Sequence, residues 1–543
     1  MSRAVDERHS LARSTATQTV LTLVSRTTGF ARVVVVAAVL GTTFLGNTYQ
    51  SANTIPNIVF ELFAAGALQA VLVPALVARF DRGDDDEAER LAGSVLGLTL
   101  AVLAALAVLG ALASPLLMRA LVSGVDDPAI RADQVSLGTV FLLIFLPQVL
   151  VYDVGLVATA VLHARGRFGL PAIAPAVNNV VVCAAYALFW WMRRDEGTTL
   201  DLSAAEIAVL AGGTTLGVVA FCALPIVGAH RAGFRFRPNL DRTDPALRAL
   251  ARQGGWAALF LAMTQVLLAA VLIFANRSEG GVIAYQVGFT FFLLPHSLFA
   301  LPVLTTLFPA AARQVHVEDW EAVRATVRRG TVVIALFLLP SAVALGVLAP
   351  PLARLASFGE VGPGGVELIA DVVRGFSPGL LGYALFYFLT RMLYAMDDTR
   401  TPATVHAAVV AIGVAGMVVA AATSEGDRIV SALAWAHSGT YLVGAGVLGA
   451  VTTRRLRQRA VPIRLPSALA PQLGGAAVAT LATIAVVSAT SWDSRLAALA
   501  TVVAGGAVAA GVHVSVQAML GGPRPTAIVA LLRRGPMAQE ARS

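Results

Sequence analysis

Long apolar runs separated by short breaks rich in arginine, glycine and proline fill this chain almost from end to end. Such a pattern leaves one solvent for it, a lipid bilayer. Each crossing takes about 20 mostly apolar residues, and only a helix satisfies its own backbone N–H and C=O groups where lipid offers no partner. Composition agrees: 57% of the 543 residues are hydrophobic and 13% charged, with a mean hydropathy of +0.75. A soluble core could not bury that much apolar surface.

The runs predict an all-α polytopic membrane protein of about fourteen spans. They lie near 17–43, 50–78, 91–117, 136–163, 171–192 and 205–229, then near 253–275, 282–312, 328–350, 368–393, 402–423 and 429–451, and finally near 466–488 and 494–519. The expected organisation is a cytoplasmic N-terminus (1–16), a first six-helix lobe (17–229), a basic cytoplasmic linker (230–252), a second six-helix lobe (253–451), two C-terminal helices (452–520) and a cytoplasmic tail (521–543).

A net charge of +8 and a pI near 10 invite a nucleic-acid reading, which the placement of the charge opposes. No lysine occurs, and the 40 basic residues are all arginines, nearly all in short loops between spans. With the N-terminus set inside, the inner segments hold 29 of them, the outer loops 9, and the first span the remaining two, Arg26 and Arg32. That asymmetry orients a membrane protein, and it predicts an even number of spans with both termini cytoplasmic. No secretory leader is evident at the N-terminus, which reads as retained. Cys183 and Cys222 fall within apolar runs, where a thiol acts as a small hydrophobe.

A faint internal repeat accompanies the threading. Leu162-His163-Ala164 precedes Pro171-Ala172 as Leu393-Tyr394-Ala395 precedes Pro402-Ala403, at one offset of 231 residues. Parallel repeats of this kind place a substrate cavity between two lobes.

Charges inside spans cost about 2.5–3.5 kcal/mol each on insertion scales, so each is a functional candidate. They are Arg26 and Arg32 in the first span, Glu61 in the second, Asp153 in the fourth and Arg391 near the inner end of the tenth. Arg26 and Arg32 stand roughly 9 Å apart along a helix and about 120° apart around it. Both can line one wide cavity, where their guanidiniums would match the oxygens of a diphosphate. The alternatives are an Arg26–Glu61 pair, or arginines reaching for the cytoplasmic surface, and for Arg391 a simple inside anchor. Asn178 and Asn179, Gln265, Gln286 and His296 could hydrogen-bond a sugar or peptide, or only tie helices together. His406 and His437 are candidates for a proton relay or for packing. Prolines 56, 74, 147, 295, 309 and 340 provide bending points.

Gly444-Ala-Gly446-Val-Leu-Gly449 has dinucleotide spacing but lies in an apolar span with no preceding strand, so it reads as close packing. No phosphate-binding loop, metal-ligand cluster or nucleophile-base set is evident. No cofactor is expected, and a transporter is favoured over an enzyme.

Several segments together carry a family resemblance. They are Ser25-Arg26-x-x-Gly29-Phe30-x-Arg32, Pro56-Asn57 with Phe63-x-x-Gly66-Ala67 and Val73-Pro74, Pro147-Gln148, Arg167-Phe168-x-x-Pro171-Ala172-x-Ala174-Pro175 with Asn179, and Tyr394-Ala395-x-x-Asp398-Thr399-Arg400-Thr401-Pro402. Over roughly residues 15–405 the chain resembles the MurJ (MviN) family of lipid II flippases, within the multidrug/oligosaccharidyl-lipid/polysaccharide exporter superfamily. The resemblance implies two lobes around a cationic cavity, a groove for an undecaprenyl tail along the last two helices, and transport driven by an ion gradient or membrane potential without ATP. It implies a bacterial inner-membrane location and a lipid-linked anionic precursor as partner, with cell-wall synthesis proteins as further candidates.

Carried over by position, Arg26 and Arg32 match family cavity arginines, and Arg26, Arg32, Asn57, Glu61, Asn179 and Gln265 form the expected substrate-binding set. Other family charges are replaced: Asn47 stands for an acid, Phe60-Glu61 for two arginines, Ala65 for a glutamate and Phe289-Thr290 for an Asp-Arg pair. A family member without transport activity that scaffolds or regulates cell-wall assembly, and an exporter of another lipid-linked glycan, are the alternatives to lipid II translocation.

Overall fold

The computed structural model describes residues 2–62, 66–194, 197–241 and 245–523, and no strand occurs among them. Two compact units divide the chain. The first comprises Met1–Ile283 with Phe358–Glu360, the second Ala284–Ser357 with Val361–Ser543. Through the first unit run α1 (Ser2–Leu40), α2 (Phe44–Phe60), α3 (Gly66–Phe80), α4 (Asp85–Leu121), α5 (Pro128–Phe145), α6 (Gln148–Ala164), α7 (Gly169–Arg193), α8 (Ala204–Ile207), α9 (Gly213–Arg231) and α10 (Pro245–Ala275). The start of α11 (Gly281–Pro295) also belongs to it, and most of α11 to the second unit. There follow α12 (Leu301–His316), α13 (Trp320–Val347), α14 (Ala349–Ala356), α15 (Pro363–Phe376), α16 (Gly379–Ala395), α17 (Arg400–Thr423), α18 (Arg428–Gln458), α19 (Leu465–Ala489) and α20 (Arg495–Met519).

Each of the fourteen expected spans corresponds to one helix or to helices in series. Eleven spans among the described residues are long and apolar enough to cross a membrane, and α15 with α16, bent by 47°, makes a twelfth. The remaining two are the second span, divided between α2 and α3, and α18.

Proline explains several breaks, because it removes an intrahelical donor and its ring clashes with the carbonyl four residues back. The turn between α5 and α6 falls at Leu146-Pro147, and the helix widens into a π-turn over His296–Ala300 directly after Pro295. The sharp bend in the tenth span lies at Ser377-Pro378, a proline absent from the bending points read in the sequence.

The repeat recurs in backbone geometry. α6 closes with Arg167 N–H donating to Leu162 O (2.8 Å) across Gly166 at φ +68°, and α16 with Asp398 N–H donating to Leu393 O (3.0 Å) across Asp397 at φ +58°. Every one of these positions is shifted by the same 231 residues. Other even-numbered spans finish identically. α3 and α12 close with Asp84→Arg79 and Asp319→Gln314, and α9 and α18 with Phe234→Ala229 and Val461→Leu456. α20 ends the same way, Gly522 N–H donating to Gln517 O. This six-to-one bond needs a left-handed residue at its centre, normally glycine.

The first unit supplies Gly83, Gly166 and Gly233 there, whereas the second supplies Glu318, Asp397 and Ala460, the three non-glycine residues at positive φ among the described residues, and keeps a glycine, Gly521, only after α20. An L-residue in that region costs roughly 1–2 kcal/mol relative to the right-handed one. Replacing Ala460 with glycine is therefore expected to raise stability by up to about 1 kcal/mol, and Gly166→Val to lower it by about 1–2 kcal/mol. Thermal unfolding of the purified protein in detergent checks both, and equal midpoints would contradict the assignment of strain.

Within the first unit the basic connector is docked. Gly93 and Gly97 on α4 lie under residues 237–239, where an added Cβ would come within 2.2 Å of Arg237 O and 2.0 Å of Asn239 O. Asn239 N–H donates to Gly93 O (3.0 Å), Ser94 Oγ bonds Asn239 Oδ1 (2.7 Å), and Phe234 is fully buried beside α4 and α6 residues. Two glycines one helical turn apart thus form the flat strip on which the connector runs.

Candidate functional site

Arg32 stands in the last third of α1 and is half-buried. With the Asn178 amide turned so that Nδ2 donates to Gly217 O (3.1 Å), its Oδ1 accepts from Arg32 Nη1 (3.2 Å). Asn178 therefore joins α7 to both α1 and α9. The next residue, Asn179, is buried and turns back to α1, donating from Nδ2 to Thr28 Oγ1 (3.1 Å) and more weakly to Ser25 O (3.4 Å). Gly29 faces that amide, and a Cβ added there would meet Asn179 Nδ2 at an ordinary contact distance of 3.6 Å. The asparagine pair thus ties helices together and also seats one guanidinium.

Near Arg32 lies a group of tyrosines. The Tyr49 hydroxyl, on α2, sits 2.8 Å from the Tyr186 hydroxyl on α7 and 2.6 Å from Thr214 Oγ1 on α9. Its ring packs edge-on against Phe141 and Phe145 of α5, each 5.8 Å away. Tyr152 on α6 packs against Phe60 (5.0 Å) and Phe221 (6.1 Å). The charge of Arg32 acts on Tyr49, Tyr152 and Tyr186, and on Cys183. None of the three tyrosines was a candidate from sequence, because a tyrosine inside an apolar run looks like packing. Two of the hydroxyls, those of Tyr49 and Tyr186, meet directly.

Arg26 is exposed and makes no hydrogen bond or ion pair among the described residues. Glu61 is half-buried in the turn that follows α2 and is not paired with it. Asn57 is exposed and donates to Asn53 O (3.0 Å) within its own helix. Gln265 is half-buried on α10 in the same unit. Neither Arg26 nor Arg32 has a carboxylate within 4 Å among the described residues, so no ion pair offsets either guanidinium inside the apolar span.

Asp153 on α6 is fully buried, and Thr99 Oγ1 of α4 lies 2.7 Å from its Oδ2 while Oδ1 has no partner. At Asn47 both ends of the amide are engaged: Nδ2 donates to Ser278 O (2.8 Å) and Oδ1 accepts from Val282 N–H (2.9 Å). A carboxylate there could take only the second bond. Ala65, a further first-unit position where a family charge is replaced, lies outside the described residues.

In the second unit, Phe289 belongs to an aromatic cluster around His437, which also includes Tyr285, Phe292, Phe376, Tyr383 and Tyr441. The Tyr285 hydroxyl lies 3.2 Å from His437 Nδ1. His406 packs against Phe386 (5.3 Å) and His296 against Tyr383 (4.9 Å). Arg391 lies over the Phe308 ring at 5.7 Å. The buried Oε1 of Gln286 has no partner.

Helices long and apolar enough to cross a membrane, with two arginines on the first span that have no carboxylate partner among the described residues, define an all-α polytopic membrane protein. Solved structures share the fold. A "Lipid II flippase MurJ, inward closed conformation" superposes with a TM-score of 0.74 at 17% identity, covering 93% of this chain and 98% of that one. An inward-facing MATE-family multidrug transporter superposes with a TM-score of 0.63 at 13% identity, covering 81% and 95%. The family described as Lipid II flippase MurJ matches residues 36–505, and the chain belongs to that family. Among its relatives are a "Probable lipid II flippase MurJ" from Rhizobium meliloti, 29% identical over 72% of each chain, and the "Lipid II flippase MurJ" of Burkholderia cenocepacia, 26% identical over 72% of this chain and 75% of that one.

Proposed function

We propose that this protein moves lipid II, the undecaprenyl-diphosphate-linked peptidoglycan precursor, from the cytoplasmic to the outer leaflet of the bacterial inner membrane by alternating access. The observation that carries the proposal is the pair Arg26 and Arg32, two guanidiniums on one span with no carboxylate to neutralise them. Charge left uncompensated in an apolar span is costly, and an anionic ligand offsets that cost when it arrives. The diphosphate is the part of lipid II that a guanidinium fork matches.

In this reading Asn179 positions α1, Arg32 is held ready by Asn178, and Arg26, Asn57, Glu61 and Gln265 line the route. Residues 17–229 and 253–451 would act as the two rocking lobes. The last two helices, within 452–520, would carry the lipid tail. Both termini would lie in the cytoplasm, as the 29-to-9 arginine asymmetry favours. Family membership supports a transporter that makes and breaks no bond in its substrate, and cell-wall synthesis proteins are the partners it would hand its product to.

The test is translocation of labelled lipid II in proteoliposomes containing the purified chain, under imposed potentials and ion gradients. Transport well above empty liposomes is expected, with collapse in the Arg26→Ala/Arg32→Ala double variant. A folded parent protein that moves no lipid II under any gradient would refute the reading.

A further inference from the structure

A cavity of about 690 Å³ lies in the second unit where α14, one face of α15 from Pro363 to Arg374, and the start of α20 meet. It lies at the other ends of the spans from the left-handed closures of α12, α16 and α18, and shares no residue with Arg32 and its partners. Its charged lining is Arg354, Arg374 and Arg495 against Glu367 and Asp371, which leaves one net positive charge. Trp492, Pro350, Pro363 and Val366 supply an apolar and aromatic remainder.

The arginines are fixed in place. Arg354 of α14 donates to Asp493 O, and Arg495 of α20 donates back to Ser357 O (3.1 Å), a reciprocal clasp between the two segments. A backbone carbonyl holds a guanidinium without neutralising it, and for Arg354 that carbonyl is the hydrogen-bond acceptor found, with Nε buried and unbonded. Arg374 pairs with Asp371 at 2.7 Å one turn away on α15, which consumes one of the two carboxylates. The N-terminus of α15 opens on the same cavity with Gly362 as its cap residue and no side-chain cap bond, so its first-turn N–H groups add partial positive charge.

We propose that this cavity binds the phosphoester headgroup of an anionic lipid, with the phosphate on Arg354 and Arg495 at the α15 N-terminus and its glycerol substituent against Trp492. Two guanidinium forks and a helix N-terminus suit a phosphate. The volume far exceeds one phosphate and falls in the range of organic ligand pockets, so the space beside the forks is filled by whatever the phosphate carries. The position at the ends of spans is the depth at which headgroups lie. This inference is independent of lipid II transport and stands or falls without it.

Calorimetric titration of the purified full chain in detergent tests it, using inorganic phosphate, glycerol 3-phosphate, dioctanoylphosphatidylglycerol and, as the phosphate-free control, dioctanoylglycerol. Affinity is expected to rise from phosphate to the phosphatidylglycerol, and the Arg354→Gln/Arg495→Gln variant to weaken it about tenfold or more. Glu367→Gln, which removes a carboxylate from the lining without touching the clasp, is expected to tighten it. Equal binding of glycerol 3-phosphate and the lipid would support a phosphoester site and assign it to a soluble ligand. Equal affinities for the parent and Glu367→Gln, or dioctanoylglycerol binding as tightly as the phosphatidylglycerol, would overturn the proposal even if the double arginine variant failed to fold.

Discussion

Arg32→Ala is expected to lower lipid II translocation by at least about tenfold, Arg32→Lys by less, and Asn178→Ala by an intermediate factor. Hydrogen bonds to a charged group contribute about 1.5–3 kcal/mol, and 1.4 kcal/mol is a factor of ten. Lysine keeps the charge and loses the fork, so it separates attraction from bidentate geometry. Asn178→Ala keeps the whole guanidinium but removes the oxygen 3.2 Å away that aims it, and leaves Gly217 O without its donor. Initial rates in proteoliposomes, normalised to protein inserted, give the order. If the asparagine variant matched the parent while Arg32→Ala collapsed, Asn178 would be helix glue alone. If Arg32→Ala matched the parent, the diphosphate role would be lost.

The largest stability effect is expected at the other end of α7. Arg193 and Glu206 form an ion pair at 3.2 Å, with their side chains 4% and 7% exposed. Arg193 also donates to Gly197 O (2.9 Å), Asp201 O (2.8 Å) and Thr199 Oγ1 (2.7 Å), and so folds the 197–203 loop around itself. Glu206 accepts from Ser203 N–H (2.6 Å) and Ser203 Oγ (2.8 Å) as it caps α8. Removing one partner strands the other as a buried charge, which costs about 3–5 kcal/mol. Arg193→Met and Glu206→Ala are each expected to destabilise by that order, and Arg193→Met/Glu206→Leu by clearly less than the two singles combined. Denaturation in detergent reads all three. Additive losses would show that the loop bonds matter and the charge pair does not.

The spans were legible because the bilayer demands long apolar runs whatever the tertiary packing, and Arg26 and Arg32 were legible because a guanidinium has no ordinary place in such a run. The tyrosine cluster was not. Tyr49, Tyr152 and Tyr186 lie on three different spans, and nothing local marks that the charge of one arginine reaches all three. Arg193 was counted with the outer-loop arginines, although it is a buried structural residue, because topology reading treats every loop charge alike. Pro378 was passed over inside a run whose apolar character continues on both sides, so hydropathy carried no trace of the 47° bend. Asn47 read as a missing charge until its two bonds showed that only an amide satisfies both neighbours.

The seven closures that end the even-numbered spans share one hydrogen-bond pattern although their central residues are glycine, glutamate, aspartate and alanine. Side-chain identity therefore does not set the shape of these corners. They share the geometry of a standard joint, so exchanging the heptapeptide 162–168 with its counterpart 393–399 is expected to leave the closing bond in place. Divergence between the halves is then free to proceed in what the joints display, such as the Asp398–Arg455 ion pair in one half and the Arg165–Asp85 ion pair in the other.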